Sequence, residues 1–206
     1  AAPPALLLHR RLVGRAFFRI VALVPWTFAP VVVGVVWRWM YNAQFGILND
    51  SLMRLGLIPE PRSWLGEGAL AMPSLILANV WRGFPFVMIV ALAGLQAIPR
   101  ELYEAASVDG ADAGQQFWYV TLPHLRYVLL IAVILDSIWT FKHFDLVQVM
   151  TAGGPAGATE VLSTLIYRTS FEYLDIPYAS AMAVAMFAIL FALMLTYLRM
   201  VLRSRE

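Results

Sequence analysis

Four long apolar stretches occupy most of this chain and constrain its fold more than any other feature. They run from about residue 16 to 41, 69 to 98, 127 to 150 and 178 to 200. A helix needs about 20 mainly apolar residues to cross the hydrocarbon core of a bilayer, and each stretch is long enough. The chain is 61% hydrophobic and only 14% charged, whereas a soluble domain is about a quarter charged. The sequence therefore predicts an all-α polytopic membrane protein with four transmembrane helices.

Several classes of function are excluded by the residues themselves. The 206-residue sequence has no cysteine, which rules out disulfides, thiolate zinc sites and cysteine nucleophiles. It has neither the G-x-x-x-x-G-K pattern of a phosphate loop nor H-E-x-x-H, and no paired carboxylates fall in a common pocket. The net charge of +2 is too small to indicate a nucleic-acid partner. We therefore expect a non-enzymatic chain with no metal or cofactor of its own.

The basic residues of the short loops predict how the chain is oriented, because cytoplasmic loops carry an excess of arginine and lysine. With the N-terminal end inside, nine arginines lie on the cytoplasmic side, namely Arg10, Arg11, Arg15, Arg19, Arg100, Arg126, Arg199, Arg203 and Arg205. Four lie on the outer side, namely Arg38, Arg54, Arg62 and Arg168. Both ends of the chain and the segment between the second and third stretches are therefore predicted to be cytoplasmic.

That cytoplasmic segment, ELYEAASVDGADAGQQFWYVTLPHL (101–125), is more organised than a connector needs to be. Pro99 fits the first position of a helix, and Gly110 is a typical helix terminator. Asp112 and Gln115 have the spacing of a capping box at the start of a second helix, which Pro123 is expected to end. The prediction is two short helices on the membrane surface, on which another protein docks.

The spacing in this segment resembles a known signature. Glu104-Ala105-Ala106, three residues, Gly110, nine residues, Val120, one residue and Leu122-Pro123 is similar to the EAA motif of permease subunits of binding-protein-dependent ABC importers. That family usually has isoleucine where this chain has Val120. Stretches 22–49, 79–99 and 141–155 look like the carbohydrate-uptake branch of the family, of the maltose, trehalose or glycerol-phosphate type.

The resemblance implies the fold and the partners. It implies a type I ABC importer permease fold, with residues 1–206 as a single transmembrane permease domain and one or two further spans upstream. It implies a bacterial or archaeal cytoplasmic (inner) membrane, a second related permease, an extracytoplasmic substrate-binding protein, a sugar substrate and surrounding lipid. Segment 99–124 would be the coupling segment that docks on a cytosolic ATPase dimer, where ATP and magnesium bind. Its contact residues would be Glu101, Glu104, Ala105, Ala106, Asp109, Gly110, Val120, Leu122 and Pro123.

A substrate pathway is implied in the same way. Sugars are bound by aromatic faces together with hydrogen-bonding groups, and related carbohydrate permeases line their pocket with three of the stretches that this chain shares. The positions carried over are Trp26, Gly83, Phe86, Phe141, Lys142 and His143. Helix packing with an interfacial aromatic belt is the alternative interpretation. Helix irregularity, tolerated where a cavity opens, is expected at Pro25, Pro30, Gly83 and Pro85.

Ionisable residues inside the spans need a reason, because each costs roughly 2.5–3.5 kcal/mol at the bilayer centre on insertion scales. Arg82 and Asp136 both fall near mid-depth, and we expect them to face each other as a neutralising pair. Separate solvation in a water-filled cavity is the alternative. Lys142 and Asp145 are three residues apart and are expected to share one helix face.

Other functions remain open at this point. An ion-coupled secondary transporter would use Asp136 or Asp145 and would need no ATPase. A polytopic membrane enzyme acting on lipid or glycan would need a convergent acid, base or metal site, which the sequence does not supply. Among ABC importers, a non-sugar cargo such as glycerol phosphate stays possible, since Lys142 suits an anionic group.

Overall fold

The computed structural model describes residues 15–203, and the regular structure of these residues is helical. Arg10, Arg11 and Arg205, which the orientation prediction uses, lie outside them. The described helices are α1 (Arg15–Thr27), α2 (Pro30–Met40), α3 (Ile47–Arg54), α4 (Gly68–Gln96), α5 (Arg100–Val108), α6 (Ala113–Gln116), a π-helical turn (Phe117–Thr121), α7 (Leu122–Phe141), α8 (Asp145–Met150), α9 (Leu162–Phe171) and α10 (Ile176–Arg203).

Three helices are long and apolar enough to cross a membrane: Gly68–Gln96, Ala113–Phe141 and Ile176–Arg199. The second of these joins α6, the π turn and α7 into one helix of 29 residues. A fourth candidate is the pair Ile20–Thr27 and Pro30–Met40, which is bent by 101° at the break. The described residues thus hold three or four candidate spans, which confirms the predicted all-α membrane fold.

The break in the first span has a local cause. Pro30 is the first residue of α2, and Ala29 before it is extended, with φ −60° and ψ 142°, because a residue before proline is pushed away from the helical region. The helices are not interrupted at the other three positions. Pro25 lies inside α1, and α4 continues through Gly83 and Pro85.

The third span ends earlier than its apolar stretch predicts. α7 stops at Phe141, and the chain is non-helical over residues 142–144 before α8 begins at Asp145. The His143 amide donates to the Thr140 carbonyl, three residues back, at 3.0 Å, a tightening typical of a helix end. The prediction that Lys142 and Asp145 share one helix face was therefore wrong, because Lys142 lies outside any helix and Asp145 begins α8.

The described residues pack into two compact units. One takes in residues 15–27, Gly83–Ile138 and residues 193–203, and the other Phe28–Arg82 and Trp139–Ala192. The prediction of a single permease domain over residues 1–206 stays a prediction.

The core of the first unit comes from one stripe of α4. The buried residues Met88, Ala91, Leu92 and Leu95 follow the i, i+3, i+4, i+7 spacing of a helix face, and Leu125 of α7 packs with them. Gly94 permits this contact, because a Cβ placed there would lie 2.8 Å from the Leu125 Cδ2 atom. The two helices approach closely where α7 begins.

The core of the second unit comes mainly from three helices. Its buried side chains come from α2 (Val33, Trp37), from α4 (Leu75, Ala78) and from α8 (Leu146, Val147, Met150), and Tyr41 joins them. Gly34 brings α2 against α8, since a Cβ there would lie 3.0 Å from the Val149 Cγ1 atom.

Asn49, which is buried, holds together the connection between α2 and α4. Its amide nitrogen donates to the carbonyls of Arg62 (2.9 Å), Ala43 (3.2 Å) and Asn42 (3.5 Å). Its oxygen accepts from the Trp64 indole N–H at 2.8 Å and the Arg62 amide at 3.2 Å. One side chain thus forms hydrogen bonds with five backbone and ring groups of the 27-residue connection (41–67), in which α3 is the regular element.

Candidate functional site

The predicted coupling segment begins with a well-defined helix and turn. Pro99 is the N-cap of α5, one position earlier than predicted. At the other end Gly110 has φ +79°, the left-handed conformation that glycine adopts without strain. The Ala111 amide donates to the Ala106 carbonyl at 2.9 Å, and the Gly110 amide to the Ser107 carbonyl at 3.1 Å. These two bonds form a Schellman motif, which confirms the predicted glycine terminator.

The second helix starts as predicted but does not end as predicted. The Gln115 amide donates to the Asp112 carboxylate at 2.8 Å, and the Asp112 amide to the Gln115 side chain at 2.9 Å, so the capping box is confirmed. Pro123, however, lies in the first turn of α7 within a continuous helix. The segment is therefore one surface helix followed by a turn and the start of a span.

A π-helical turn explains how the helix passes the proline. Proline has no N–H, and its ring clashes with the carbonyl four residues back in a regular helix. Here the Leu122 amide donates to the Phe117 carbonyl, five residues back, which inserts an extra residue into the turn. The wider turn comes immediately before Pro123, and the helix continues past the proline.

One face of α5 is exposed and acidic. Glu101, Glu104, Ala105 and Val108 have the spacing i, i+3, i+4, i+7, which places them on one stripe. All four are exposed, and Val108 is 88% exposed. The stripe offers two carboxylates, a small methyl group that permits close approach, and an apolar end.

The opposite face of α5 is tied to the helix that follows. The Tyr103 hydroxyl lies 3.0 Å from the Thr121 hydroxyl, and the Gln116 side chain donates to the Ser107 hydroxyl at 2.9 Å. Thr121 is buried. The sequence analysis did not identify these four residues, although the i, i+4 spacing of Tyr103 and Ser107 placed them on the face opposite Glu101 and Glu104.

The other predicted coupling residues differ in their surroundings. Asp109 and Pro123 are exposed, whereas Ala106 and Leu122 are partly buried. Val120 packs against the core of the first unit, so its side chain contributes to packing. The docking role of this set stays a prediction.

Three of the predicted pathway residues lie in the first unit. The rings of Trp26 and Phe86 are stacked, with centroids 6.3 Å apart and planes 30° apart. A Cβ placed on Gly83 would lie 3.5 Å from the Asp136 Oδ1 atom, so the carboxylate passes close to the glycine backbone. The structure thus brings together the aromatic pair, and it sets Gly83 beside an acidic group.

Phe141, Lys142 and His143 lie in the second unit, at the break between α7 and α8. Lys142 is exposed and His143 is half-buried, and the His143 carbonyl accepts a bond from the Ser163 hydroxyl at 2.9 Å. Burial lowers the pKa of His143 from its ordinary 6.5, and the charges of Arg82 and Lys142 act in the same direction against Asp145. The imidazole is therefore neutral near pH 7 and able to both donate and accept.

No contact described for Arg82 or Asp136 tests whether these two residues form the predicted pair. The Arg82 Nε atom donates to the Phe28 carbonyl at 3.4 Å, a group of the break between α1 and α2. Non-helical backbone at membrane depth needs such a partner. The pairing stays a prediction, and so does the pathway role of the six residues.

Within residues 15–203 no group of three or more histidine, aspartate and glutamate side chains could hold a metal ion.

Comparison with known proteins identifies relatives. Residues 1–205 match the family model described as "binding-protein-dependent transport system inner membrane component". A probable ABC transporter permease protein of Brucella suis is 38% identical over 204 residues, which cover 99% of this chain and 71% of the relative. The trehalose/maltose transport system permease protein of Thermococcus litoralis is 38% identical over 195 residues (95% and 65%). The sn-glycerol-3-phosphate transport system permease protein of Agrobacterium fabrum is 34% identical over 181 residues (87% and 61%).

A solved structure has the same fold. A chain of a bacterial ABC transporter involved in the import of the acidic polysaccharide alginate superimposes with a TM-score of 0.84 at 22% sequence identity. The match covers 100% of this chain and 72% of the other.

Proposed function

The chain belongs to the family of inner membrane components of binding-protein-dependent transport systems, and from that premise we propose that it helps to form the pathway of a sugar importer driven by a cytosolic ATPase. The sugar arrives on an extracytoplasmic binding protein. ATP and magnesium bind to the ATPase dimer, and this chain does no chemistry of its own.

The observation that carries the coupling proposal is the way α5 is attached. Its exposed acidic stripe is held, through Tyr103 and Ser107, to the start of a continuous helix of 29 residues. At about 1.5 Å per residue such a helix is about 43 Å long, enough to cross a bilayer. A displacement of α5 by a docked ATPase would therefore move a whole span. Glu101 and Glu104 would face basic groups of that ATPase.

The cargo proposal rests on relatives and on side-chain chemistry. The Thermococcus relative is named for trehalose and maltose, and stacked aromatic rings such as Trp26 and Phe86 suit the apolar faces of sugars. His143, as a neutral imidazole, adds a donor and an acceptor. A second permease subunit would contribute further groups that contact the sugar.

Glycerol phosphate is the second candidate cargo. The Agrobacterium relative is named for it, and the exposed ammonium group of Lys142 would suit a phosphate. Uptake competition between a neutral disaccharide and glycerol phosphate decides between the two. Lys142→Gln would weaken uptake of the phosphate and leave a neutral sugar nearly unchanged.

In this proposal both ends of the 206-residue sequence lie on the cytoplasmic side, and so does α5, as the arginine distribution predicts. The N-terminal end of α10 would then face the outside, and the connection between α2 and α4 would too.

The docking of α5 is tested by two matched glycine variants. Gly110 and Gly56 have φ +79° and +69°, and a Cβ atom placed on either would meet no atom within 4 Å. Arginine at either position therefore carries a similar backbone cost, about 1–2 kcal/mol. We expect an ATPase to copurify with the wild-type chain and with Gly56→Arg but not with Gly110→Arg.

Two outcomes contradict the proposal. Equal recovery of the ATPase with both variants would mean that α5 is not the docking surface. Absence of any ATPase, combined with uptake that follows an ion gradient, would favour the secondary transporter with Asp136 or Asp145 as its site.

A further inference from the structure

Between α9 and α10 the chain presents a dense row of exposed apolar side chains. Phe171, Tyr173, Leu174, Ile176 and Tyr178 are each between 60 and 75% exposed. We refer to residues 171–178 as the rim segment. Such a concentration of exposed apolar surface marks an interaction site in most proteins.

Hydrogen bonds to α9 hold the backbone of the rim segment in place. The Tyr173 amide donates to the Arg168 carbonyl and the Asp175 amide to the Thr169 carbonyl, both at 3.0 Å. Thr169 is buried. Asp175 caps α10, since its carboxylate accepts the Tyr178 amide at 3.0 Å. The exposed side chains are therefore held outward by their backbone.

Leu174 makes the outward orientation costly. It has φ +57°, a left-handed conformation that costs a residue with a Cβ about 1–2 kcal/mol, and its side chain is 75% exposed. Glycine would remove that cost, and no packing inside the unit compensates a side chain so exposed. A strained residue that projects an apolar group points to a function outside the unit.

The two carboxylates of the rim segment, Glu172 and Asp175, form contacts within the protein. Glu172 lies 3.5 Å from the Arg168 guanidinium, which also bonds Glu160 at 2.7 Å, and the Asp175 carboxylate caps the helix. Both carboxylates are exposed, but these bonds hold them within the protein, and the rest of the segment's surface is aromatic and aliphatic with two tyrosine hydroxyls. Tyrosine is enriched where a span leaves the membrane, because its ring is apolar and its hydroxyl is polar.

The surface next to the rim segment identifies the partner. Ile176 and Tyr178 belong to the first turn of α10, a candidate span of which no residue in the most apolar stretch is buried. The chain belongs to an inner-membrane family, and lipid is the surrounding that an apolar span meets in a bilayer. The rim segment continues the apolar surface of α10 beyond its N-terminal end.

We propose that the rim segment is a membrane anchor that inserts Leu174 and the flanking aromatic rings into the lipid headgroup and acyl boundary at the N-terminal end of α10. The anchor fixes the depth of that end of α10, as interfacial aromatic side chains do for a span. The rings of Phe171, Tyr167 and Phe144 follow one another at centroid distances of 5.0 Å. This row of rings connects the anchor to the break that holds His143.

The absence of cysteine from the sequence allows a direct test. Single-cysteine variants Leu174→Cys, Glu60→Cys and Val184→Cys would be spin-labelled in the intact transporter, purified with its partner subunits and placed in lipid nanodiscs. Glu60 is exposed in the connection between α3 and α4, and Val184 is 68% exposed in α10. The measurement is relaxation by oxygen, which concentrates in lipid, against relaxation by a water-soluble nickel chelate.

The expected result is a ratio of oxygen to nickel accessibility at Leu174 several-fold above that at Glu60 and approaching that at Val184. A ratio equal to that at Glu60 would place the side chain in water and overturn the anchor. Low accessibility to both reagents would mean that a protein covers the segment, which overturns it as well. Tyr173→Cys, at a site 64% exposed, provides the same readout if Leu174→Cys does not fold.

Discussion

The hydroxyl groups of Tyr103 and Thr121 lie 3.0 Å apart and connect the exposed helix α5 to the buried side of the π turn. The Thr121 hydroxyl also donates to the Gln116 carbonyl at 3.4 Å. Tyr103 is therefore linked through Thr121 to the backbone of the continuous helix Ala113–Phe141. This contact connects the surface that we propose for ATPase docking to the span that docking would displace.

Breaking this contact should uncouple transport from ATP hydrolysis. Tyr103→Phe removes one hydrogen bond at a partly buried position, worth about 1 kcal/mol, while it leaves the acidic stripe intact. We expect an ATPase to bind as in the wild type and the amount of sugar taken up per ATP hydrolysed to fall about two- to fivefold.

The control for this variant is Tyr119→Phe, since Tyr119 is 80% exposed and carries the same group. Equal uptake per ATP in the two variants would show that the Tyr103–Thr121 contact does not transmit movement.

The acidic stripe should contribute to docking through charge. The double variant Glu101→Gln and Glu104→Gln removes both carboxylates without changing the size of the side chains. We expect binding of the ATPase to weaken several-fold at low salt, with a smaller difference at high salt, because ions screen exposed charges.

Glu60→Gln with Glu67→Gln is the matched control, because both residues are exposed and lie away from α5 in the sequence. A loss of binding that is the same at every salt concentration would contradict a role for charge.

Asn49 should be the most sensitive single position of the connection between α2 and α4. Asn49→Leu keeps the branched shape of the side chain but leaves the Trp64 indole and the Arg62 amide without their acceptor and the carbonyls of Ala43 and Arg62 without a donor. Buried unpaired groups cost about 1–3 kcal/mol each, so we expect a loss of about 3 kcal/mol or more and a lower unfolding temperature in nanodiscs. Ser51→Ala, at an exposed position of α3, should leave that temperature unchanged.

Stability should depend on pH through His143. Its pKa is lowered in the folded state, so the unfolded chain binds a proton first as the pH falls. Stability is therefore full above about pH 6.5 and declines as the pH drops from the ordinary histidine value towards the lowered one. Thermal unfolding followed at about pH 7.5 and 5.5 should show a smaller decrease for His143→Gln than for the wild type. An equal decrease in both would assign the pH dependence to other groups.

Several local features of this protein follow from the sequence because they depend on residues close together in the chain. The capping box needs only Asp112 and Gln115, and the turn after α5 needs only a residue that tolerates positive φ, which Gly110 provides. The membrane spans follow from apolar stretches of sufficient length. The EAA spacing, compared with known permeases, also predicted the family that the comparisons confirm.

The tertiary structure decided what depends on partners distant in the chain or on the competition between alternatives. The sequence predicted that a helix ends at Pro123, because proline disfavours a helix locally. In the structure, the π turn and the packing of Val120 and Leu125 allow the helix to continue. The sequence also predicted a third span that reaches Met150, because an apolar stretch does not show where a helix ends. The bonds of Tyr103 to Thr121 and of Asn49 to Trp64 join residues 18 and 15 positions apart, and only folding brings such groups within hydrogen-bonding distance.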